Sequence, residues 1–237
     1  MFGAGERPTG SRDPYGLRRA AQGIVRILVD LPELTGLDLR LTFGQLAAPL
    51  KGAPYDVDGK GLDEAFWSFM TDRVRFVLEQ RGYDTRNVRS VTHGAPAGIS
   101  PLVAKRKLET LPELTESADF KQLAVLFKRV KNIAKNLADD APDLGGSLTE
   151  PAELALAAEV DRVRPVIEGA VKAGTGYRQA FAQAAKAGPA VAKFFDEVMV
   201  MAEDPKLRDA RLRLLKRLEG LVLQLADISE IVPEVEK

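Results

Sequence analysis

Residues 119–137 read DFKQLAVLFKRVKNIAKNL, and their apolar side chains recur every three or four positions. This spacing places them on one face of an α-helix, the face that packs into a protein core. The apolar stripe consists of Phe120, Leu123, Phe127, Val130, Ala134 and Leu137. The sequence therefore predicts a long amphipathic helix in this part of the chain.

The same stretch also aligns cationic side chains along a second face. These residues are Lys121, Lys128, Lys131 and Lys135, with Arg129 beside them. Like charges four residues apart destabilise a helix, so the alignment needs an explanation. It is either an ordinary solvated face or a surface for RNA phosphates, on which Asn132 and Asn136 hydrogen-bond base edges. The residues alone leave both interpretations open.

The composition favours helices throughout the chain. Hydrophobic residues make up 45% of the 237 positions, which is enough for a sizeable core. Ala, Leu, Glu, Lys and Arg are abundant, whereas the alternating pattern of strands is scarce. We therefore predict an all-α fold, a multi-helix bundle.

Start and stop signals give the approximate bounds of the helices. Asp13 and Asp204 are predicted N-caps, each followed by a proline at the first helical position. The predicted helices cover about residues 13–32, 39–51, 62–81, 84–92, 100–110, 119–137, 151–172, 176–186, 189–202 and 205–230. The core stripe of the first is predicted to contain Leu17, Ala21, Ile24, Ile27 and Leu28. An acidic, glycine-containing stretch at 139–150 predicts a subdomain hinge.

Charge and residue usage narrow the possible functions. The 34 basic and 34 acidic residues cancel, which argues against non-specific nucleic-acid binding by the field of the whole molecule but permits local basic patches. There is no cysteine and a single histidine, His93, so a zinc site or a catalytic triad is not expected. No run approaches the roughly 18 apolar residues of a membrane span, and the N-terminus lacks a signal-peptide pattern. We expect a cytoplasmic protein.

Two further basic clusters accompany the one at 119–137. The first is the pair Arg18 and Arg19 in the first predicted helix. The second crowds the first half of the last helix and consists of Arg208, Arg211, Arg213, Lys216 and Arg217. Cations near a helix N-terminus have little support from the helix dipole, so this cluster is a second hint of an anionic partner. Phe194, Phe195 and Tyr177 could stack on bases, although the two phenylalanines fit a core as well.

Three separated segments resemble one family. Residues 8–28 (PTGSRDPYGLRRAAQGIVRIL), 123–135 (LAVLFKRVKNIAK) and 194–231 (starting FFDEVMVMAEDP) resemble the β subunit of bacterial heterotetrameric glycyl-tRNA synthetase, in the same order and with similar spacing. The resemblance implies that residues 1–34 are the tail of a helical HD-like domain. It implies that residues 35–237 form an all-helical anticodon-binding domain of the type shared with arginyl-tRNA synthetase.

The resemblance also implies a division of labour. In this family the α subunit carries the aminoacylation site, where ATP and magnesium are expected, and the β subunit holds the tRNA. The chain is then expected to need no cofactor of its own, to be non-catalytic alone, and to have glycine tRNA, the α subunit and the rest of the β subunit as partners, but neither DNA nor a membrane. The residues predicted to contact tRNA are Arg12, Arg18, Arg19, Lys121, Lys128, Arg129, Lys131, Asn132, Lys135, Arg208 and Arg211.

The chain departs from the family in length. The family's β subunit is far longer, so we expect either an engineered C-terminal fragment or a naturally short copy, without the His and Asp residues of the HD-like part. An HD-type phosphohydrolase is therefore not expected. The remaining alternative is a helical protein-interaction scaffold without specific RNA recognition. Salt-dependent RNA binding separates the two, because counterion release accompanies phosphate contacts.

Overall fold

The computed structural model describes Phe2 and residues 6–50, 63–135, 137 and 147–231. Within these ranges the regular structure is helical and the only bridge is an isolated pair between Thr9 and Arg12, which confirms the predicted all-α fold. No helix in the described ranges is both long and apolar enough to cross a membrane. The stretch GAPYDVDGKG (52–61), which its glycine, proline and aspartate residues predict to be a loop, and most of the predicted hinge lie outside the described residues.

The chain contacts divide it into two compact units, residues 1–108 and 109–237. The first unit contains α1 (Leu17–Thr35), α2 (Phe43–Ala47), α3 (Glu64–Glu79), α4 (Thr85–Val91) and α5 (Pro101–Leu108). The second contains α6 (Leu111–Leu114), α7 (Ala118–Ala134), α8 (Pro151–Ala173), α9 (Tyr177–Ala185), α10 (Gly188–Glu197) and α11 (Pro205–Leu223). Short 3₁₀ turns cover Ala48–Leu50, Pro96–Gly98 and Ile228–Glu230.

Helix α1 corrects two details of the sequence prediction. It begins at Leu17, because Gly16 has a left-handed φ of 63° and interrupts the helix before that point. Asp13 still serves the helix end, since its carboxylate accepts hydrogen bonds from the backbone N–H groups of Leu17 and Arg18 at 2.8 and 3.0 Å. The buried face also has a different phase from the predicted one. Ile24 and Ile27 are 44% and 58% exposed, whereas the buried residues are Ala21, Val25, Leu28, Val29 and Pro32.

The first unit is organised around α1 and α3. Helix α1 packs against α3 and α5, and α4 packs against both α3 and α5. The predicted domain boundary between residues 34 and 35 therefore falls at the end of a helix that packs inside this unit. That boundary concerns how the family's domains divide, and it stays a prediction.

The second unit is organised around α7 and α8. Helix α7 packs against α10 and α11, and α8 packs against α9, α10 and α11. The predicted stripe of α7 is confirmed from Phe120 to Ala134, because every member in that range is buried. Among the largest fully buried side chains of this unit are Phe127, Phe194 and Leu214.

In the second unit, two helices end earlier than predicted and one short helix was not predicted. Helix α10 ends at Glu197, not near residue 202, and α11 ends at Leu223 before a separate 3₁₀ turn. The four-residue helix α6 was not predicted. The predicted start of α8 at Pro151 is confirmed, since the Glu153 carboxylate accepts hydrogen bonds from the backbone N–H groups of Thr149 and Glu150.

Lys107 in α5 is a half-buried cation in the first unit. Desolvation by burial lowers its pKa from 10.5 to about 8. The unfolded chain therefore binds more protons than the folded chain between pH 8 and 10.5, and the free energy of unfolding rises with pH across that window. At pH 7 the charged Lys107 amine therefore lowers the free energy of unfolding.

We expect the substitution Lys107→Met to raise the free energy of unfolding at pH 7 by about 1–2 kcal/mol, allowing for the partial exposure of this position. It should also abolish the rise between pH 8 and 10.5 that Lys107 contributes. Urea unfolding monitored at several pH values measures both effects. Lys193→Met, at an exposed lysine of α10, is the matched control and should leave the pH profile unchanged. A profile of Lys107→Met that parallels the wild type would contradict the assignment.

Candidate nucleic-acid interface

The exposed side of α7 presents a row of polar and cationic side chains, here called the α7 face. It consists of Lys121, Lys128, Arg129, Asn132 and Lys135, all exposed. Ser117 caps the start of this helix, and the buried stripe on the opposite side fixes its rotation in the unit. The face is therefore displayed by a packed helix whose orientation is set by its core contacts.

The members of the α7 face differ in what holds them. Lys121 lies 3.8 Å from the Glu116 carboxylate, but both side chains are largely exposed, so the pair is weak. Lys128, Asn132 and Lys135 make no side-chain hydrogen bond or ion pair with any residue in the described ranges. Their donors are thus available to an external acceptor.

Arg129 is held in place by an aromatic ring. Its guanidinium carbon lies 4.2 Å from the centre of the Phe195 ring on α10, within the range of a cation–π contact. The Arg129 side chain makes no hydrogen bond or ion pair with any residue in the described ranges, so its N–H groups are available to a phosphate.

Lys131 is directed inwards, towards the 3₁₀ turn that follows α11. Its Nζ atom donates hydrogen bonds to Oδ2 of Asp227 at 2.5 Å and to Oγ of Ser229 at 3.3 Å. The Asp227 side chain is only 8% exposed, and the lysine side chain is 32% exposed. The structure therefore places Lys131 in a contact that ties α7 to the end of the chain, apart from the exposed members of the row.

Arg211 is buried in the second unit, where its guanidinium is hydrogen-bonded to three other residues; these four residues are called here the Arg211 network. Its Nε donates to Oε1 of Glu153 at 2.5 Å, and its Nη2 donates to Oε1 of Glu150 at 2.5 Å. Its Nη1 donates to the backbone carbonyl of Met199 at 2.7 Å. Because Arg211 is 3% exposed and Glu153 is fully buried, this guanidinium does not reach the surface predicted for it.

The remaining predicted contacts are spread over both units. Arg208 is half-buried, and its Nη1 donates a long hydrogen bond of 3.4 Å to the Ala202 carbonyl. In the first unit Arg12 and Arg19 are exposed, and Arg18 donates to the Gly10 carbonyl at 2.8 Å. The aromatic candidates Phe194, Phe195 and Tyr177 are buried at 0%, 8% and 3% exposure, so the core reading of the two phenylalanines is correct. The stacking role suggested for the three is not open to buried rings.

One surface feature was not predicted from the sequence, because residues 189–202 were predicted to be helical. Residues 198–201 (VMVM) are outside any helix, and Val198 adopts extended backbone angles. Met199 and Met201 are 74% and 64% exposed, whereas Val198 and Val200 are buried. The alternation of β-branched residues with methionine was the available signal for an extended segment.

Two family models match separate parts of the chain, one within each compact unit. A model described as glycyl-tRNA synthetase beta subunit matches residues 1–93, and a model described as DALR anticodon binding domain matches residues 122–231. Curated relatives match along nearly the whole chain. The glycine–tRNA ligase beta subunits of Aromatoleum aromaticum and Anaeromyxobacter dehalogenans are 37% and 38% identical over 236 and 240 residues, covering 98% and 99% of this chain.

The chain belongs to the glycyl-tRNA synthetase β-subunit family. The resemblance read from the three sequence segments is thereby confirmed. The chain spans about a third of the length of the curated relatives it matches: 32% of the Aromatoleum protein, 33% of the Anaeromyxobacter protein and 32% of a Yersinia pestis β subunit that is 36% identical.

The segment that matches the anticodon-binding model contains most of the candidate interface. The match to residues 122–231 includes Lys128, Arg129, Asn132 and Lys135 and begins one position after Lys121. Arg12, Arg18 and Arg19 lie in the other match, at residues 1–93. In the described residues no group of three or more His, Asp or Glu side chains is arranged to hold a metal ion.

Proposed function

We propose that this chain is the tRNA-binding part of a glycine–tRNA ligase β subunit and recognises the anticodon, while a separate α subunit carries out aminoacylation. The observation that carries the proposal is the α7 face, a row of exposed donors on a packed helix, all but Lys121 within the region matched by an anticodon-binding model. ATP and magnesium would then bind to the α subunit and not to this chain.

The exposed donors suit two kinds of RNA contact. Lys121, Lys128 and Lys135 are flexible cations that can neutralise phosphates, and Arg129 offers a fixed fork of N–H donors. The Asn132 amide has both a donor and an acceptor, so it can hydrogen-bond the edge of an unpaired base. Arg208 would contribute from α11, and Arg12, Arg18 and Arg19 would contact the tRNA from the first unit.

Lys131 and Arg211 have a different role in this proposal. Both are bonded to carboxylates of the same unit, and Arg211 is almost fully buried. We assign them to the fold that holds the α7 face and the 198–201 segment, and not to direct RNA contact.

The test is a titration of the chain with glycine tRNA, followed by fluorescence anisotropy at two salt concentrations. A second tRNA carries replacements at the second and third anticodon positions. We expect tighter binding to the native anticodon and weaker binding at higher salt, because phosphate contacts release counterions. Equal binding to both tRNAs would contradict anticodon recognition. No binding at low salt would overturn the proposal and favour the protein-interaction scaffold.

We expect Lys128→Gln to weaken binding of both tRNAs by a similar factor and to reduce the slope of log affinity against log salt by about one, the loss of one phosphate contact. Lys193→Gln is the matched control, because Lys193 is an exposed lysine of α10 that lies 3.9 Å from Glu197. An unchanged salt slope for Lys128→Gln would remove Lys128 from the interface.

A further inference from the structure

The 198–201 segment displays two large apolar side chains to solvent. Met199 and Met201 are the most exposed large hydrophobic residues described in the second unit, at 74% and 64%. Val198 and Val200, which alternate with them, are 6% and 8% exposed and anchor the segment in the core. The two methionines therefore point outward from a segment whose other side chains fix its position.

The backbone of this segment is also held by buried polar groups. The Met199 carbonyl accepts a hydrogen bond from Arg211, whose guanidinium is bonded to Glu150 and Glu153 as well. Burying an arginine and a carboxylate has a desolvation penalty that can exceed their Coulombic attraction. Such a network is therefore weak evidence for added stability. The network does fix the position of the Met199 carbonyl, although the Met199 side chain is largely exposed.

Two arginines contact residues that lie close to the methionines in the sequence. Phe195 lies four residues before Met199 and carries the Arg129 guanidinium on its ring. Arg208 reaches the Ala202 carbonyl, one residue after Met201. An apolar pair with a guanidinium group bonded to the adjoining backbone matches a ligand with a flat apolar face and anionic groups attached to it. A nucleotide in an unpaired stretch of RNA has this combination, whereas a purely apolar partner does not use the charges.

We propose that Met199 and Met201 form a platform on which bases of an unpaired RNA loop stack, with Arg129 and Arg208 meeting the adjoining phosphates. This inference rests on the proposed tRNA-binding function and adds a base-contacting site to it. A methionine side chain suits the task because its thioether is polarisable, makes favourable contacts with aromatic rings and adapts its rotamer to the base. The buried rings of this unit are not available for the same contact.

Methyl resonances of methionine provide a direct readout. The chain has four methionines, and Met70, which is 5% exposed and lies in the first unit, serves as an internal reference. In the full chain labelled with ¹³C at the methionine methyl groups, glycine tRNA should shift the Met199 and Met201 signals and leave Met70 in place. The same tRNA with its anticodon loop paired to a complementary oligonucleotide should not shift them. Equal shifts with the paired loop would overturn base stacking.

The double variant Met199→Ser/Met201→Ser tests the energetic contribution. We expect a loss of about tenfold or more in affinity for glycine tRNA, since stacking of one base contributes about 1–3 kcal/mol. The salt slope should stay at the wild-type value, because no phosphate contact is removed. Leu154→Ser/Val171→Ser is the matched control, since both residues are exposed apolar positions on α8. The thermal midpoints of both variants should match the wild type.

The outcomes separate this inference from the proposed function. If wild-type chain binds tRNA but the methyl signals and the serine variant are unaffected, the platform is overturned and tRNA binding stands. If wild-type chain binds no tRNA, both fail. If the serine variant binds tRNA normally but loses binding to the other subunit or the rest of the β subunit, the methionines are a protein-docking surface and the RNA platform is overturned.

Discussion

Arg211→Ala is expected to lower the free energy of unfolding of the second unit by about 3–5 kcal/mol, because it removes one partner of a buried ion pair and leaves the other behind. The remaining partner is Glu153, which is fully buried and, within the described ranges, retains the backbone N–H groups of Thr149 and Glu150 as its donors. The Met199 carbonyl loses a hydrogen bond in the same change. Chemical denaturation with urea measures the effect.

Arg162→Ala is the control for this prediction, since Arg162 lies on α8 and pairs with Glu159 at the surface. Its loss should amount to less than about 1 kcal/mol. The double variant Arg211→Ala/Glu153→Ala should recover part of the stability lost in Arg211→Ala, because no unpaired buried carboxylate remains. If Arg211→Ala unfolds like the wild type but binds tRNA more weakly, Arg211 belongs to the RNA surface and the structural role is refuted.

Lys131→Met should produce the second largest loss, about 2 kcal/mol in the free energy of unfolding. The Asp227 carboxylate is 8% exposed and would lose its cationic partner, while the hydrogen bonds that it accepts from Ser229 would remain. We expect the salt slope of tRNA binding to remain unchanged, because Lys131 is occupied within the fold. Thermal unfolding and the anisotropy titration, carried out on the same preparation, measure both quantities.

The comparison with Lys128→Gln makes this prediction specific. Lys128 and Lys131 lie three residues apart on the same helix, yet the structure gives only Lys131 an internal partner in the described residues. The two variants should therefore show opposite patterns, with stability lost in one and salt slope lost in the other. A reduced salt slope together with wild-type stability in Lys131→Met would return Lys131 to the RNA surface.

Local periodicity was sufficient to predict the helices that matter most for the candidate site. The stripe of α7 follows from the three-and-four spacing of residues within one helix, and proline and acidic signals located the starts of α8 and α11. Helix α1 shows the limit of this reasoning. Its isoleucines fit a helical spacing, but the core lies on the side of Val25 and Val29, and only tertiary contacts fix that choice.

The roles of individual cations could not be predicted, because they depend on partners that are distant in the sequence. Arg211 meets carboxylates 58 and 61 positions away, and Lys131 meets one 96 positions away. A basic cluster in a sequence therefore looks uniform even when some members are buried ion-pair partners and others are solvent-exposed. The 198–201 segment was missed for a related reason, since its methionines could equally have continued the preceding helix.

The cation–π contact between Arg129 and Phe195 also affects the entropy lost when Arg129 binds a partner. An arginine free in solvent loses side-chain rotamer freedom when it is captured by a ligand, at about 0.5–1.5 kcal/mol for a side chain of this kind. Arg129 has given up much of that freedom during folding, because the ring already holds its guanidinium at 4.2 Å. Lys128 and Lys135 remain conformationally mobile until a partner arrives. Among the cations of the α7 face, Arg129 is thus the one whose side chain is already positioned before a partner binds.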